Sequence, residues 1–489
     1  MLRERALHAV RWTATGAGLR ALIQYAQIAL LTRILDPTAL GLVSVMWVVI
    51  GFAGLFSEAG LGSAVIQRSE STANERTSIF WGNLAIAAIV ATCAAALAQP
   101  VAWYYGDPAL ASLVFICAPA IVLAAAARQF EVDSEKALEF RALVLVESAT
   151  VLVGGVAAVA GALAGLGAAS LAWAFLLSMA LRSLLAFRLL SRGWRPTLRF
   201  RWQEAIPFCR FGGAWMASNA INQFNSNIDL LIGGRLLGLS QLGIYAPPRQ
   251  LAMSIQYISN PIITRVAFPV MALTQADRAR TRRVFLGMTN MTCSVNGPLH
   301  LFGVLFASDL CGVVLGRPWA EAGPLLALLC SYGAVRAAIS PVGALLLGVG
   351  RADRALAWNL ALLLVLPAAA WIGCQFGVIG LAYALFVSVV VLAVPAWRFL
   401  IHPPSQCGLA EWSAAVARPY VLAILAVVPG YAVSAYFSEP VVRLMVGLSL
   451  FAPGYVLLSC AFNPQWAHSV RDLVLAAKGA QRRPEAPLT

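Results

Sequence analysis

Long runs of apolar residues, separated by short polar segments, recur along this chain from Leu19 to Phe462. The runs show neither the one-sided pattern of an amphipathic surface helix nor the strict alternation of a half-buried strand. A helix needs roughly 20 apolar residues to cross about 30 Å of hydrocarbon, and these runs have that length. The pattern therefore predicts an all-α polytopic membrane protein.

About fourteen membrane-spanning helices are predicted from these runs. Their limits are 13–33, 41–63, 79–101, 109–129, 142–164, 166–188, 212–234, 242–262, 284–306, 321–347, 355–375, 377–400, 417–437 and 441–462. They form two groups of six and a final pair. The expected domains are an N-terminal six-helix lobe over 1–190, a basic cytoplasmic linker over 191–210, a C-terminal six-helix lobe over 211–402, an extra helix pair over 403–463 and a cytoplasmic tail over 464–489.

Composition argues against a soluble protein, because 60% of the residues are hydrophobic and only 11% are charged. In ordinary soluble domains about 45–50% of the residues are apolar and about 25% are charged. The nine cysteines are scattered, mostly inside apolar runs, with no CxxC pair and no histidine at a metal-ligand spacing. We expect them to be small buried hydrophobic residues. The basic N-terminus precedes a full-length span instead of a short cleavable segment, so we expect an uncleaved first helix.

The net charge is +14. The basic residues behind it are concentrated in loops on one predicted side of the membrane. Of the 35 Lys and Arg residues, four lie within spans and 27 lie in loops on one side. The four on the opposite side are Arg33, Arg235, Arg317 and Arg443. Because short cytoplasmic loops hold the excess of Lys and Arg, both termini are predicted to be cytoplasmic. A charge that follows alternate loops does not form the basic face that binds nucleic acid, so nucleic acid is not an expected partner.

Two predicted spans carry polar side chains along one helical face. In the first span, Arg20, Gln24 and Gln27 have the spacing i, i+4, i+7, which places them on the same face. The seventh span has a denser set, with Ser218, Asn222, Asn225 and Asp229 on one face and Asn219, Gln223 and Ser226 beside them. We call these faces the first-span stripe and the seventh-span stripe.

Two interpretations of these stripes are open. Interhelical hydrogen bonds, at about 0.6 kcal/mol each in membranes, account for one or two amides. Seven polar residues in one helix, with an arginine stripe on the first helix of the other group, favour helices that line a hydrated cavity. Because these helices open the two groups of six, we expect a pseudo-symmetric central cavity.

Charged residues inside other spans indicate the chemistry of such a cavity. Arg249 in the eighth span and Arg336 in the tenth join Arg20 as guanidinium groups suited to bidentate capture of phosphate or carboxylate. They predict an anionic substrate. Glu147 in the fifth span and Asp229 fit either of two roles, counter-ion of these arginines or proton carrier. For Arg182 in the sixth span, we expect the side chain to reach towards the cytoplasmic surface.

Sequence motifs give no support to catalysis. The four histidines lie in unrelated segments, and there is no GxSxG, HExxH or phosphate-binding glycine loop. We therefore predict a protein that is not an enzyme, with no catalytic residue, no metal site and no cofactor.

Five segments together resemble a known family. They are TRILDPTALGLVSV, LFSEAGLGSAVIQR, EKALEFRALVLVES, RFGGAWMASNAINQFNSNIDLLIGGRLLG and NPIITRVAFPVMA. Their order is similar to that in the Wzx-type oligosaccharide flippases, in the polysaccharide transporter branch that includes the colanic-acid exporter. The resemblance extends from the N-terminus to about residue 400 and implies the fold of the MOP superfamily, in which two six-helix lobes enclose a cavity that opens alternately to either side.

The resemblance also implies a function. The expected substrate is an oligosaccharide repeat unit linked to polyprenyl diphosphate, moved across the bacterial inner membrane for assembly of exopolysaccharide, capsule or O-antigen. Membrane lipid is an implied partner, and a polysaccharide polymerase and a chain-length regulator are candidate partners. On this hypothesis, Arg20, Arg249 and Arg336 contact the diphosphate or acidic sugars, and the seventh-span stripe binds sugar hydroxyls.

Three rival functions make different demands on the sequence. An ion-coupled multidrug exporter of the same superfamily would favour cationic substrates, whereas the spans here hold more arginine than carboxylate. A membrane-bound glycosyltransferase or polymerase would need an acidic catalytic site or a large external loop, and neither is visible. A non-transporting scaffold of a polysaccharide-assembly complex would leave the arginines within spans unexplained.

Overall fold

The computed structural model describes residues 2–58, 72–136, 139–191, 193–274, 277–467 and 471. Across these residues the regular structure is helical, and no strand occurs among them. Helices suit a bilayer because each bonds its own backbone N–H and C=O groups where no water is available. The predicted all-α class is confirmed. Most of the predicted tail, 464–489, lies outside the described residues.

The N-terminal half of the chain folds into long helices with short connections. They are α1 (Leu2–Ile34), α2 (Pro37–Glu58), α3 (Ala73–Tyr105), α4 (Ala109–Lys136), α5 (Phe140–Leu163), α6 (Ala169–Leu185), continued by a π-helical turn at Ala186–Leu190, and α7 (Trp202–Leu236). Local signals set several ends. Thr72 caps α3 by accepting from the Glu75 N–H at 3.2 Å, while the Glu75 carboxylate accepts from the Thr72 N–H at 2.9 Å. Gly106, at φ 77°, ends the same helix.

The C-terminal half contains more interruptions. Its helices are α8 (Leu239–Thr274), α9 (Arg278–Leu305), α10 (Ala307–Leu310), α11 (Gly323–Ile339), α12 (Val342–Gly348), α13 (Ala352–Cys374), α14 (Gly377–Ala396), α15 (His402–Ser405), α16 (Leu409–Ser434) and α17 (Pro440–Phe462). Short π-helical turns occur at Cys311–Leu315 and Trp397–Ile401, and a 3-10 helix at Arg317–Ala322. Asp277 caps α9 by accepting from the backbone N–H groups of Ala279 and Arg280 at 2.9 and 3.1 Å.

Within the described residues, ten helices are long and apolar enough to cross a membrane. An eleventh crossing is formed if α9 and the segment Ala307–Leu315, which are bent by 85°, count as one. The helices α1, α7 and α8 are 33, 35 and 36 residues long but are not among the ten. These three carry the stripes and Arg249. The protein is therefore a multi-pass membrane protein, and the count of fourteen stays a prediction.

Several helices differ from the predicted span limits. Helix α4 continues to Lys136, beyond the predicted end at residue 129, and α7 begins at Trp202, inside the predicted linker. The predicted span 321–347 is divided between α11 and α12 at Pro341, which has no N–H to continue the helix. The polar residues that end an apolar run mark the limit of the hydrocarbon, whereas the helix itself continues into the polar interface.

By their internal contacts the residues divide into two compact units. Unit 1 is Met1–Pro247 with Leu362–Val378, and unit 2 is Pro248–Ala361 with Ile379–Thr489. In unit 1, α3 packs on α4, α5 on α6, and α1 on α5. This grouping by contacts is not a test of the predicted lobe limits, which stay a prediction.

In unit 2 the last helix pair is built into the core. Helices α16 and α17 pack on each other, and α16 packs on α9. The Tyr455 hydroxyl donates to the Ser294 carbonyl oxygen at 2.9 Å, and Asn463 Nδ2 donates to Ser294 Oγ at 3.2 Å. Buried Phe306 and Phe451 lie in the same cluster. The pair is therefore fixed to α9 by both apolar packing and hydrogen bonds.

The first turns of α2 and α8 cross at two glycines in unit 1. A Cβ added to Gly41 would overlap the carbonyl oxygen of Leu239, and one added to Gly243 would overlap the carbonyl oxygen of Pro37. Small residues let helix backbones approach this closely in membrane proteins. We call this contact the glycine crossing.

Candidate functional site

The structure pairs two of the predicted site residues. Arg20 on α1 and Glu147 on α5 form an ion pair, with Arg20 Nη1 2.6 Å from Glu147 Oε2. Their side chains are 22% and 31% exposed. Helix α1 lies close to α5 here because Gly16 has no side chain, and a Cβ at that position would overlap Val144. Glu147 is thus the direct counter-ion of Arg20, one of the two roles left open for it.

The rest of the first-span stripe follows the same helix. Gln27 is half-buried, with its Oε1 atom 3.5 Å from the position that a Cβ on Gly155 would occupy. Gln24 is exposed. The stripe therefore contacts α5 at two positions, through Arg20 and Gln27, whereas the amide of Gln24 is exposed.

The side chains of the seventh-span stripe are described from Asn219 onwards, and they differ in burial. Asn222 is exposed, whereas Asn225 and Asp229 are buried. The Asp229 carboxylate accepts a hydrogen bond from the Tyr245 hydroxyl on α8 at 2.9 Å, and its other oxygen accepts from the Leu230 N–H at 2.9 Å. Asp229 is therefore held by its neighbours, in a setting unlike the partly exposed pair of Arg20 and Glu147.

The remaining predicted residues, Arg249 and Arg336, lie in unit 2. Arg249 is buried on α8, and Gln256, two turns further along the same helix, donates from Nε2 to the Gly333 carbonyl oxygen at 2.8 Å. Arg336 is half-buried on α11, one turn after Gly333. The Gln256 hydrogen bond thus fixes α8 to α11 near the turn that carries Arg336.

Arg182 pairs with a carboxylate near the end of α4, and the expectation that its side chain reaches towards the cytoplasmic surface stays a prediction. Its Nε and Nη2 atoms donate to the two carboxylate oxygens of Glu131 at 2.6 and 2.8 Å. The Glu131 side chain is only 1% exposed. Arg128 lies 3.6 Å from Glu131 and 3.0 Å from Glu135. Glu131 is not among the predicted site residues because the predicted span ends at residue 129, whereas helix α4 continues to Lys136 and carries this carboxylate.

Loss of the Glu131 charge should destabilise the protein strongly. Glu131→Gln leaves the Arg182 guanidinium without its buried counter-ion, and removing one partner of such a pair costs about 3–5 kcal/mol. Thermal unfolding of the purified protein in detergent should show a midpoint several degrees lower. The matched change Glu135→Gln affects a more exposed pair, whose contribution is about 0–1 kcal/mol. Equal midpoints for the two variants would contradict a structural role for Glu131.

A further polar stripe, on α9, was also missed. Its residues, spaced three or four apart, are Thr289, Thr292, Asn296 and His300, and all four are buried. Asn296 accepts from Ser259 Oγ at 2.8 Å and donates to the Thr292 carbonyl oxygen at 3.0 Å. The same spacing rule that revealed the other stripes finds this one. Here the stripe joins helices by hydrogen bonds, whereas the two predicted stripes each keep an exposed amide.

Comparison with known proteins gives the family. The sequence model of the family described as polysaccharide biosynthesis protein matches residues 30–324, more than half of the chain. The chain belongs to the polysaccharide biosynthesis protein family. The family predicted from the quoted segments is thereby confirmed.

Several related proteins match most of the chain. The lipopolysaccharide biosynthesis protein WzxC of Escherichia coli (strain K12) is 28% identical over 432 residues, 88% of each chain. The teichuronic acid biosynthesis protein TuaB of Bacillus subtilis (strain 168) is 28% identical over 475 residues, 95% of this chain and 97% of its own. The succinoglycan biosynthesis transport protein ExoT of Rhizobium meliloti (strain 1021) is 26% identical over 463 residues, 93% of each.

Solved structures identify the fold of this polysaccharide biosynthesis protein. The lipid II flippase MurJ in an inward closed conformation matches with a TM-score of 0.69 at 12% identity, over 96% of this chain and all of MurJ. An inward-facing multidrug resistance MATE family transporter of the MOP superfamily matches with a TM-score of 0.60 at 14% identity, over 79% of this chain and 95% of its own. The predicted MOP fold is confirmed.

Proposed function

We propose that this protein is a flippase that moves polyprenyl-diphosphate-linked oligosaccharide repeat units across the bacterial inner membrane. It would serve assembly of exopolysaccharide, capsule or O-antigen, with both termini in the cytoplasm. The support comes from the family, which is described as polysaccharide biosynthesis protein, and from relatives named for polysaccharide biosynthesis and, in ExoT, for transport. The fold is shared with a protein named as a lipid II flippase.

The observation that carries the mechanism is the pair of Arg20 and Glu147. An ion pair that is partly exposed within a membrane helix needs water around it, because hydrocarbon solvates neither charge. The first-span stripe therefore fits a hydrated path. A guanidinium on that path suits the diphosphate of a lipid-linked sugar, since Arg binds phosphate oxygens in a bidentate way.

The proposed cycle is alternating access through a hydrated, partly cationic cavity. The residues proposed to contact substrate are Arg20, Gln24, Gln27, Asn222, Asn225, Asp229, Arg249 and Arg336. Glu147 and Asp229 are the candidates for ion or proton coupling. The polyprenyl tail needs no polar contact and stays in lipid, so the cavity has to accept only the diphosphate and the sugars.

The same fold occurs in a multidrug resistance MATE family transporter of the MOP superfamily. An ion-coupled multidrug exporter is therefore the first alternative. It would require a cavity that favours cations, whereas arginines outnumber carboxylates among the proposed contact residues. A scaffold of the assembly machinery, alongside a polymerase and chain-length regulator, is the second alternative. A scaffold has no need of arginines inside membrane spans, which are costly to place there.

Deletion of the gene tests the proposal in cells. We expect the polysaccharide to be lost and the lipid-linked repeat unit to accumulate on the cytoplasmic leaflet, and wild type to restore export. Arg336→Ala should restore far less export at equal expression, whereas Arg351→Ala, at an exposed position, should restore it fully. Normal polysaccharide in the deletion strain would refute the flippase role.

A further inference from the structure

The segment between α6 and α7 is rich in arginine. From Phe187 to Arg201 there are five arginines and no Asp or Glu. Arg195 and Arg201 are both exposed, and Arg192 lies outside the described residues. The part from Gly193 to Arg201 is not helical. We call residues 193–201 the basic strap.

The basic strap is fixed to the helices of unit 1. The Trp194 ring packs against Phe80 and Phe130, with ring centroids 6.2 and 5.5 Å apart. Trp81 Nε1 donates to the Thr197 carbonyl oxygen at 2.7 Å. At the other end, the Arg201 N–H donates to Ser78 Oγ at 3.3 Å. The strap therefore has one fixed course along the start of α3.

The basic strap also carries exposed apolar side chains. Leu198 is 95% exposed and Phe200 is 47% exposed. Among the described residues, most exposed large apolar side chains lie on helices that are long and apolar enough to cross a membrane. These two lie in a non-helical segment, and exposed apolar groups beside basic ones are typical of segments that lie in a membrane interface.

The contacts also place the strap at the depth of an interface. Its hydrogen-bond partners Ser78 and Trp81 lie in the first turns of the candidate span Asn74–Tyr105. The preceding candidate span, Ala169–Leu190, ends just before the strap begins. The distribution of Lys and Arg assigns this side to the cytoplasm, whose leaflet carries anionic lipids.

We propose that the basic strap is a preformed site for anionic lipid headgroups of the cytoplasmic leaflet. Leu198 and Phe200 enter the boundary between headgroups and acyl chains, and Arg195 and Arg201 bind headgroup phosphates. Because the strap is already held by Trp194 and by two hydrogen bonds, little ordering is required on binding. The proposal is independent of the substrate that the protein transports.

Hydrogen exchange of the full chain in nanodiscs tests this site. One set of discs contains zwitterionic lipid alone, and the other contains the same lipid mixed with anionic phosphatidylglycerol. We expect the amides of residues 197–200 to exchange several-fold more slowly in the anionic discs. High salt should remove the difference, because it screens contacts between exposed charges.

Two double variants separate the contribution of the arginines to lipid binding from that of the apolar side chains. Arg195→Gln with Arg201→Gln should abolish the dependence on anionic lipid, and Leu198→Ser with Phe200→Ser should speed exchange in both kinds of disc. Leu236→Ser, at an exposed apolar residue on the predicted opposite side, is the matched control and should change neither. Unchanged exchange in α3 and α4 shows that the variants fold. Equal exchange of the wild-type strap in both kinds of disc, or protection that persists after loss of both arginines, would overturn the proposal.

Discussion

Gly243→Ala should nearly abolish both the stability and the transport activity of this protein. The added methyl group would overlap the carbonyl oxygen of Pro37, a backbone atom that no side-chain rotation can move. The first turns of α2 and α8 would have to separate, and overpacking of this kind costs about 1–3 kcal/mol or more. The yield of folded protein, measured by size-exclusion chromatography in detergent, should fall sharply. Gly41→Ala, which meets the carbonyl oxygen of Leu239, should behave in the same way.

Gly54→Ala provides the matched control for the glycine crossing. This residue lies on the same helix as Gly41, and an added Cβ there meets nothing within 4 Å. Because alanine is the better helix former by roughly 0.5–1 kcal/mol, the control should be neutral or slightly stabilising. Equal yield and unfolding temperature for Gly243→Ala and Gly54→Ala would show that the crossing is not required.

Exchange of the charges of Arg20 and Glu147 should uncouple folding from transport. The double variant Arg20→Glu with Glu147→Arg keeps an ion pair between α1 and α5, so its unfolding temperature should stay near that of wild type. Transport should nevertheless fall at least about tenfold, since a contribution of 1.4 kcal/mol to substrate binding already corresponds to tenfold. The reason is that the guanidinium moves to a different helix and no longer meets the phosphate in the same geometry.

A single variant of Arg20 and an exchange at a second, exposed ion pair provide the controls for this experiment. Arg20→Ala should reduce both stability and transport, because it leaves Glu147 without its counter-ion. Exchange of the exposed pair Arg351 and Asp353, whose charged atoms lie 3.2 Å apart, should change neither property. Full transport by the exchanged Arg20–Glu147 variant would mean that the pair is structural and that substrate is bound elsewhere.

The spacing of polar residues in the sequence predicted which helices carry a polar face. Polar residues spaced three or four apart share a helical face regardless of the tertiary fold, so the stripes on α1 and α7 were visible in the sequence. The same rule would have revealed the α9 stripe with His300. Periodicity does not say what each face meets, and only the structure separates the buried hydrogen bonds of α9 from the partly exposed pair on α1.

Partners distant in sequence could not be predicted in this way. The contact between Arg182 and Glu131 depends on α4 continuing past the end of its apolar run, which hydropathy does not report. The glycine crossing has a weak signal in the sequence, since Gly41 follows Arg33 by eight residues and Gly243 follows Arg235 by eight. That spacing suggests a repeat but not that the two copies touch each other.

The proposed function requires this protein to move a lipid-linked oligosaccharide from one leaflet to the other. The most direct measurement uses purified protein in liposomes that contain polyprenyl-diphosphate-linked oligosaccharide with a fluorescent sugar, quenched from outside by a membrane-impermeant reagent. Wild-type protein should make the sugar exchange between leaflets far faster than in protein-free liposomes, and the exchanged Arg20–Glu147 variant should be slow although folded. Identical leaflet exchange with and without wild-type protein would show that this protein is not a flippase.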